Sequence, residues 1–278
     1  MKLDMINRFS ITDHVVVITG GAGLLGLQHA QAVAEADGIP VLLDVNAARL
    51  DDAVKTISER TGVTSYPFLC DITKKNEIAL IFGDIIKKLG RIDALVNNAA
   101  NDPKVGTDID SQKLTRFENL TEELWSSDLA VGLTGAFYCC QIFGHYMATR
   151  KKGVILNVAS DLAVIAPDQR LYEMNGLSPG QQPVKPATYS VVKTGLVGLT
   201  KYLATYWADV GVRVNAISPG GVYNGQNDEF LTRISQRIPM GRMAQKDEYM
   251  ATVIYLLSDA SSYMTGFNLV IDGGRSAW

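Results

Sequence analysis

The chain has 278 residues, of which 47% are hydrophobic and 20% are charged, the composition of an ordinary globular protein. Its 26 basic and 29 acidic residues leave a net charge of −3, which excludes the strongly basic surface of a nucleic-acid or anionic-membrane binder. No apolar run approaches the roughly 18 residues of a membrane-spanning helix, and the N-terminal segment lacks the apolar core of a signal peptide. The sequence therefore predicts a soluble, cytoplasmic protein.

The three cysteines predict neither a disulfide framework nor a metal site. Cys139 and Cys140 are neighbours, which rarely pair with each other, and Cys70 stands alone. The chain has no CxxC motif or Cys/His cluster with the spacing of a zinc site. We therefore expect reduced cysteines in the core and no bound metal.

Short apolar runs alternate with longer helical patterns along the whole chain. The predicted strands are HVVVIT (14–19), IPVLLD (39–44), SYPFLCD (65–71), IDALVNN (92–98), GVILNVAS (153–160), GVRVNAIS (211–218) and FNLVIDGG (267–274). Most of these runs are continuously apolar, as strands covered on both faces are. Helical patterns at 24–36, 76–90 and 121–150 lie between them. This alternation predicts an α/β protein with a parallel, doubly wound sheet in a single domain, residues 1–278.

The first strand is followed directly by a glycine-rich turn, TGGAGLLG (19–26). Its glycines, Gly20, Gly23 and Gly26, are spaced GxxGxxG between a predicted strand and a predicted helix. The free N–H groups and the dipole of a helix N-terminus favour a phosphate there, and glycines let the backbone approach it. The turn, with Leu24 and Leu25, is therefore predicted to bind the pyrophosphate of a dinucleotide.

An acidic residue closes the second predicted strand. Asp44 lies 18 residues after Gly26, the position at which a carboxylate accepts hydrogen bonds from the adenosine ribose diol. The same carboxylate repels a 2′-phosphate, so Asp44 favours NAD over NADP as the cofactor. A helix cap or a solvated turn residue is the alternative interpretation of this position.

Tyr189 and Lys193, in YSVVK, are spaced i, i+4 and therefore share one face of a predicted helix. A nearby ammonium favours the phenolate form of a tyrosine, which makes the tyrosine an effective general acid–base. So short a pattern also arises by chance, and its meaning depends on the motifs around it.

Six motifs follow in a fixed order: TGGAGLLG (19–26), NNAA (97–100), NVAS (157–160), YSVVK (189–193), SPGG (218–221) and VIDGG (270–274). With them the chain resembles the short-chain dehydrogenase/reductase family over essentially its whole length. The resemblance implies a Rossmann-like fold, with a seven-stranded parallel sheet between two layers of helices. It also implies hydride transfer between a nicotinamide cofactor and an alcohol or carbonyl.

The resemblance assigns roles to individual residues. Ser160 would hold the substrate oxygen, Tyr189 would act as general acid–base, and Lys193 would bind the cofactor ribose and tune the tyrosine. The residues expected to contact the cofactor come from six segments of the chain. They are Gly20, Gly23, Leu24, Leu25, Gly26, Asp44, Asp71, Ile72, Asn98, Ala99, Ala100, Tyr189, Lys193, Pro219, Gly220 and Val222.

Ser160 and Tyr189 are 29 residues apart, which is more than the family's usual spacing. The excess is a proline-containing insertion at 161–187, and loops this long are usually functional or disordered. It is predicted to overhang the substrate site, with Asp161, Asp168, Arg170 and Tyr172 as candidate substrate contacts. This polar set favours a hydroxyl-rich or charged substrate. A subunit contact or a plain surface loop is the competing interpretation.

Three further features depart from the family pattern. The glycine spacing is that of the extended subtype, although the length and VIDGG resemble the shorter one. Gly132, in AVGLTGAF, stands where the family often has a catalytic asparagine, so the usual proton relay would need water or a polar group of the insertion in its place. Val222 follows SPGG in place of a threonine, and Asn224 is a candidate for that contact.

The sequence therefore predicts an NAD(H)-dependent oxidoreductase acting on a small polar alcohol or carbonyl, with a sugar-derived substrate as the favoured class. Two alternatives stay open: a compact nucleotide-sugar epimerase or dehydratase that holds its NAD tightly, and a non-catalytic NAD-binding regulatory module. The resemblance also implies a homotetramer or homodimer.

Overall fold

Seven β-strands form the centre of the molecule in the computed structural model, which describes residues 5–101 and 115–278. The strands are β1 (Val15–Thr19), β2 (Ile39–Asp44), β3 (Tyr66–Leu69), β4 (Ala94–Asn97), β5 (Gly153–Val158), β6 (Val212–Pro219) and β7 (Asn268–Ile271). They form one sheet in the order β3-β2-β1-β4-β5-β6-β7. Every neighbouring pair is parallel. The predicted doubly wound parallel sheet is confirmed.

Helices connect the strands. Those of the described residues are α1 (Leu24–Glu35), α2 (Ala47–Thr61), α3 (Lys75–Leu89), α4, α5 (Ala187–Tyr206), α6 (Asp228–Ser235) and α7 (Met250–Leu257). Helix α4 comprises three α-helical segments, Glu122–Leu129, Gly135–Cys139 and His145–Thr149, joined by π-helical turns at Ala130–Thr134 and Cys140–Gly144. Within the described ranges, no helix is both long and apolar enough to cross a bilayer.

The predicted strands exceed the observed ones mainly at their polar ends. Residues 65–71 were expected to pair throughout, but β3 covers only Tyr66–Leu69 and has an alternating exposure pattern, because it forms one edge of the sheet. The predicted helix at 121–150 is continuous, although its two π-helical turns have no signal in the hydrophobic pattern.

Each face of the sheet carries its own apolar cluster. On one face, side chains of α1, α2 and α7 such as Val33, Ile57 and Val253 pack against the strands. On the other face, α3, α4 and α5 supply Ile85, Phe143 and Leu203. Covering both faces in this way explains why the strands read as continuous apolar runs. All three cysteines are buried and free, as the sequence predicts.

The order in which the strands are added to the sheet changes direction at β1. Strands β2 and β3 lie on one side of β1, and β4 to β7 lie on the other. In open α/β sheets, ligands bind in the crevice beyond the carboxyl ends of the strands at such a switch point. The glycine-rich turn follows β1 and Asn98 follows β4, so both lie at this crevice.

His29, on α1, is a titratable group fully enclosed in the fold. Its side chain is 0% exposed. Neither ring nitrogen has a hydrogen-bond partner among the described residues. Burial lowers the pKa of His29 from 6.5 to about 4. The folded state therefore binds this proton less readily than the unfolded state does.

This shift predicts acid sensitivity. A histidine whose pKa is depressed by folding contributes its stability fully above pH 6.5, and that contribution is lost as the pH falls from 6.5 towards 4. We expect the free energy of unfolding to fall by about 3 kcal/mol over this window on account of His29. His29→Leu should remove that part of the slope in denaturant titrations at several pH values. His145→Gln, at an exposed histidine, is the control. An unchanged slope in His29→Leu would show that another group is responsible.

Candidate active site

A cavity of about 890 Å³ opens at the carboxyl edge of the sheet. It is lined by the glycine-rich turn, by residues that follow β2, β3, β4, β5 and β6, by the insertion and by α5. Most residues predicted from the sequence lie on its wall. They are Gly20, Gly23, Leu24, Leu25, Asp44, Asp71, Ile72, Asn98, Ala99, Ala100, Ser160, Asp161, Tyr172, Tyr189, Lys193, Pro219, Gly220 and Val222.

The glycine-rich turn needs Gly20 and Gly26 for two different reasons. Gly20 has a positive φ of 60° and touches the backbone of Ala99, which a Cβ would approach to 2.9 Å. A Cβ on Gly26 would lie 2.0 Å from the carbonyl oxygen of Gly20, so this glycine brings α1 against the turn. Gly23 caps α1 in an extended conformation. Gly26 itself does not line the cavity and contributes only through its close packing against Gly20.

The start of α1 presents unused donors. The N–H groups of Leu24, Leu25 and Gly26 belong to the first turn, which has no intrahelical acceptor. No side chain caps this helix, and among the described residues these three groups have no acceptor. Leu24 and Leu25 line the cavity. The residues present therefore fit the pyrophosphate of a dinucleotide cofactor.

Asn98 holds the turn in place from the neighbouring strand. Its side-chain amide donates to the carbonyl oxygens of Thr19 at 3.0 Å and of Gly20 at 3.1 Å. Its backbone N–H donates to the Thr19 hydroxyl at 3.0 Å. The asparagine predicted to contact the cofactor thus also fixes the loop that would cradle the phosphates.

Two carboxylates mark the far end of the cavity. Asp44 accepts hydrogen bonds from the backbone N–H groups of Ala22 and Asn46, each at 3.1 Å, which fixes its orientation beside the turn. Asp71 accepts from the Thr73 hydroxyl at 2.7 Å. That bond, together with the nearby Lys74 ammonium, holds the pKa of Asp71 below its ordinary value.

Ser160, Tyr189 and Lys193 reach the cavity from two elements. Ser160 follows β5, and the other two lie one turn apart on α5. Lys193 is 4% exposed, and its Nζ donates to the carbonyl oxygen of Val158 at 2.8 Å. The same Nζ lies 5.7 Å from the centre of the Tyr189 ring, and Nζ of Lys185 lies 4.0 Å from that centre. Two ammonium groups therefore lie within about 6 Å of the centre of the tyrosine ring.

A buried ion pair lies directly behind Ser160. The Ser160 hydroxyl donates to Oδ1 of Asp161 at 2.9 Å and accepts from the Leu162 N–H at 3.1 Å. Oδ2 of Asp161 accepts from Nη1 of Arg275 at 2.8 Å. The sequence analysis did not identify Arg275, although this arginine follows the VIDGG motif directly.

The insertion supplies only part of its predicted contacts to the cavity. Asp161 and Tyr172 line it, whereas Asp168 and Arg170 do not. Asp168 pairs with Arg170 at 2.8 Å and with Arg237 at 2.5 Å. Hydrogen bonds from these arginines, Arg170 first, hold the pKa of Asp168 well below its ordinary range.

The outer wall of the cavity forms where the insertion meets α6 and the loop that follows. A small apolar cluster joins Leu171 of the insertion to Ile234, Ile238 and Met243. Arg233 of α6 donates to the Glu173 carbonyl oxygen in the insertion. Together with the Asp168–Arg237 pair, these contacts tie the two segments together. The sequence analysis did not identify Arg233, Glu229 or Asn227, which also line the cavity.

Gly132 lies inside the first π-helical turn of α4. A Cβ there would lie 2.4 Å from Cγ1 of Val192 on α5, so the position has no room for an asparagine side chain with this packing. Asn224, the predicted replacement for the threonine contact, lines the cavity. π-helical turns are frequent at functional sites, but this one lacks the polar group that the relay needs.

The parallel sheet, the donor-rich turn and the Ser–Tyr–Lys group are the features that the sequence predicts for a dinucleotide-dependent oxidoreductase. Comparison with known families agrees: residues 14–172 match the family described as short chain dehydrogenase, and residues 179–276 match enoyl-(acyl carrier protein) reductase. The chain belongs to the short-chain dehydrogenase/reductase family and is an oxidoreductase of that family.

Individual relatives cover nearly the whole chain. An NAD-dependent glycerol dehydrogenase of Listeria innocua is 34% identical, over 96% of this chain and 95% of that protein. An NADP-dependent mannitol dehydrogenase of Alternaria alternata is 32% identical, over 98% of this chain and 95% of that protein. A solved structure of an NAD+-bound xylitol dehydrogenase superposes with a TM-score of 0.81, at 27% identity and over 95% and 99% of the two chains.

Proposed function

We propose that the protein is an NAD-dependent dehydrogenase of small polyols or sugars, which transfers a hydride between nicotinamide and a secondary alcohol or its carbonyl form. The observation that carries this proposal is the convergence of Ser160, Tyr189 and Lys193 on one cavity. The same cavity is lined by the unused N–H donors of α1 and by the Asp44 carboxylate. The residues proposed to bind the substrate and those proposed to bind the cofactor thus line the same cavity.

Each residue has a distinct task in this proposal. The bound nicotinamide supplies the hydride acceptor or donor. Tyr189 takes the proton of the substrate hydroxyl during oxidation and returns it during reduction. The two ammonium groups beside its ring favour the anionic form of the phenol that this task requires. Ser160 holds the substrate oxygen, and Lys193 reaches the cofactor ribose from the same helix face.

Further polar side chains line the same cavity as these three residues. Glu173, Asn175, Asn227 and Arg233 bring both hydrogen-bond donors and acceptors to the wall. A substrate with several hydroxyl groups satisfies such a wall better than an acyl chain does. The similarity to a glycerol dehydrogenase, a mannitol dehydrogenase and a xylitol dehydrogenase supports the same substrate class. A panel of these polyols with NAD, followed by NADH absorbance, tests the proposal.

Asp44 supports NAD rather than NADP. Asp44 lines the cavity and closes β2, the position at which a carboxylate binds the adenosine ribose in folds of this type. A 2′-phosphate bound there would meet a like charge. We expect NAD to raise the melting temperature more than NADP does at equal concentration. Asp44→Asn keeps the size of the side chain but removes its charge, and it should reduce the preference about tenfold or more, which is about 1.4 kcal/mol. Stronger stabilisation of the unaltered protein by NADP would contradict the assignment.

A further inference from the structure

The ion pair behind Ser160 extends the row of polar atoms at the reacting centre. Asp161 and Arg275 are in contact at 2.8 Å, with side chains 4% and 10% exposed. Asp161 in turn accepts the Ser160 hydroxyl at 2.9 Å. All three side chains line the cavity. Polar atoms therefore run without a gap from Ser160 to the Arg275 guanidinium.

This ion pair has hydrogen-bonding capacity to spare. A guanidinium carries five N–H donors, and within the described residues that of Arg275 has one acceptor, Oδ2 of Asp161. A carboxylate offers about four lone pairs, of which Ser160 and Arg275 engage two. In the described part of the chain, none of the unused donors and acceptors of this pair is a buried atom without a partner, so they are accessible to a ligand or a bound water.

Stability alone does not account for such a pair. Replacing a buried ion pair with apolar residues of similar volume is often neutral or stabilising, so the pair is weak evidence for a structural role. Its place on the cavity wall, next to the serine that holds the substrate oxygen, indicates binding instead. Because Asp161 neutralises Arg275, an anionic ligand gains little there. A neutral hydroxyl, which both donates and accepts, matches both partners.

The distance between the polar atoms of this row restricts the class of ligand further. Two hydroxyl groups on neighbouring carbons lie about one hydrogen-bond length apart, which is the separation of the Ser160 hydroxyl and Oδ1 of Asp161. When the reacting hydroxyl is at Ser160 and Tyr189, the hydroxyl on the next carbon falls beside the ion pair. It can then accept from Arg275 and donate to Asp161.

We propose that Asp161 and Arg275 form the specificity-determining subsite for a vicinal diol, holding the hydroxyl adjacent to the one that is oxidised. This proposal specifies the substrate class within the proposed function. It rests on the proposed function only in the assumption about which of the two hydroxyl groups reacts. It also predicts which alcohols fail: those with no hydroxyl next to the reacting carbon.

The test compares 2,3-butanediol with 2-butanol, which share the carbon skeleton and differ by one hydroxyl. We expect the protein to favour the diol in kcat/KM with NAD by about 100-fold or more, because a site built to bind a hydroxyl rejects the analogue that lacks it. Arg275→Met should bring the ratio of the two kcat/KM values close to 1, and Arg275→Lys should restore part of it. A variant that only loosened the fold would lower both values and keep their ratio.

Arg91→Met is the matched control, since it breaks the ion pair of Arg91 with Asp93. Asp93 directly precedes β4, so this pair lies at the amino ends of the strands, whereas the cavity lies at their carboxyl ends. This variant should keep the ratio of the unaltered protein. Because Arg275→Met leaves Asp161 buried without its partner, the double variant Asp161→Leu/Arg275→Met provides a second measurement without a buried charge. A diol preference that survives in both variants overturns the proposal, as does equal oxidation of the two alcohols by the unaltered protein.

Binding separates this inference from the proposed function. In Tyr189→Phe saturated with NAD, calorimetric titration with each alcohol measures affinity without turnover. Diol-selective binding that Arg275→Met abolishes supports the subsite even if the unaltered protein oxidises neither alcohol, in which case the proposed function fails alone. Tighter binding of lactate, which carries a carboxylate in place of the second carbinol, would show an anion site instead and overturn the diol assignment.

Discussion

Replacing Tyr189 with phenylalanine is expected to lower kcat by about 100- to 10,000-fold, the range contributed by a positioned general acid–base. The phenol is the group proposed to exchange a proton with the substrate oxygen, and phenylalanine keeps the ring while removing that proton. Because phenylalanine keeps the ring, which lies near the ammonium groups of Lys185 and Lys193, we expect the packing of α5 to stay intact. Steady-state rates with the best polyol of the panel measure the loss.

NAD affinity provides the second readout for Tyr189→Phe. We expect most of the thermal shift with NAD to be retained, because phenylalanine keeps the ring that is predicted to contact the cofactor and the phosphate site at α1 is unchanged. Tyr202→Phe is the matched control: Tyr202 lies on the same helix, is 62% exposed and stacks on Tyr206. It should keep its activity. A Tyr189→Phe variant with undiminished kcat would remove this residue from the mechanism.

Gly26→Ala should abolish measurable NAD binding and destabilise the protein. The added Cβ would lie 2.0 Å from the carbonyl oxygen of Gly20, a backbone atom that cannot turn aside. Either α1 moves away from β4 or the turn opens, and both changes displace the N–H groups of Leu24 and Leu25. Overpacking of this kind costs about 1–3 kcal/mol or more. Chemical denaturation and NAD titration measure the two effects separately.

Gly83→Ala is the internal control for this change. Gly83 also lies within a helix, α3, but a Cβ there meets no atom within 4 Å. Because alanine has a higher helix propensity than glycine, this substitution should stabilise the protein by up to about 1 kcal/mol. NAD binding by Gly26→Ala that equals that of Gly83→Ala would refute the packing argument.

The sheet was predictable because its signals are local. Continuous apolar runs such as VVVIT in β1 predict a strand covered on both faces, and Asp44 marks the end of β2 by its change of polarity. These runs do not contain the order of the strands, because it depends on pairings between residues distant in the sequence. Only the ends of strands such as β3 were placed inaccurately, since edge pairing depends on the neighbouring strand.

The site was predictable in part, because some of its residues belong to motifs and others do not. The motifs contain Ser160, Tyr189 and Lys193, and the structure brings all three to one cavity. Arg275 contacts Asp161 across 114 residues of sequence, and no local pattern records so distant a pair. Asp168 and Arg170 were chosen for their charge alone, and their charge is engaged with each other and with Arg237 away from the cavity.

The contact between the insertion and α6 has its own apolar cluster, separate from the two clusters that pack against the faces of the sheet. Leu171 and Ile234 meet there, and most of the remaining contacts are polar. The outer wall of the cavity and the layers of the sheet therefore rest on different apolar contacts. Substitutions at Leu171 or Ile234 are expected to reshape the wall and to leave the two large clusters in place. Under the proposed function, such changes alter the choice of substrate without altering hydride transfer.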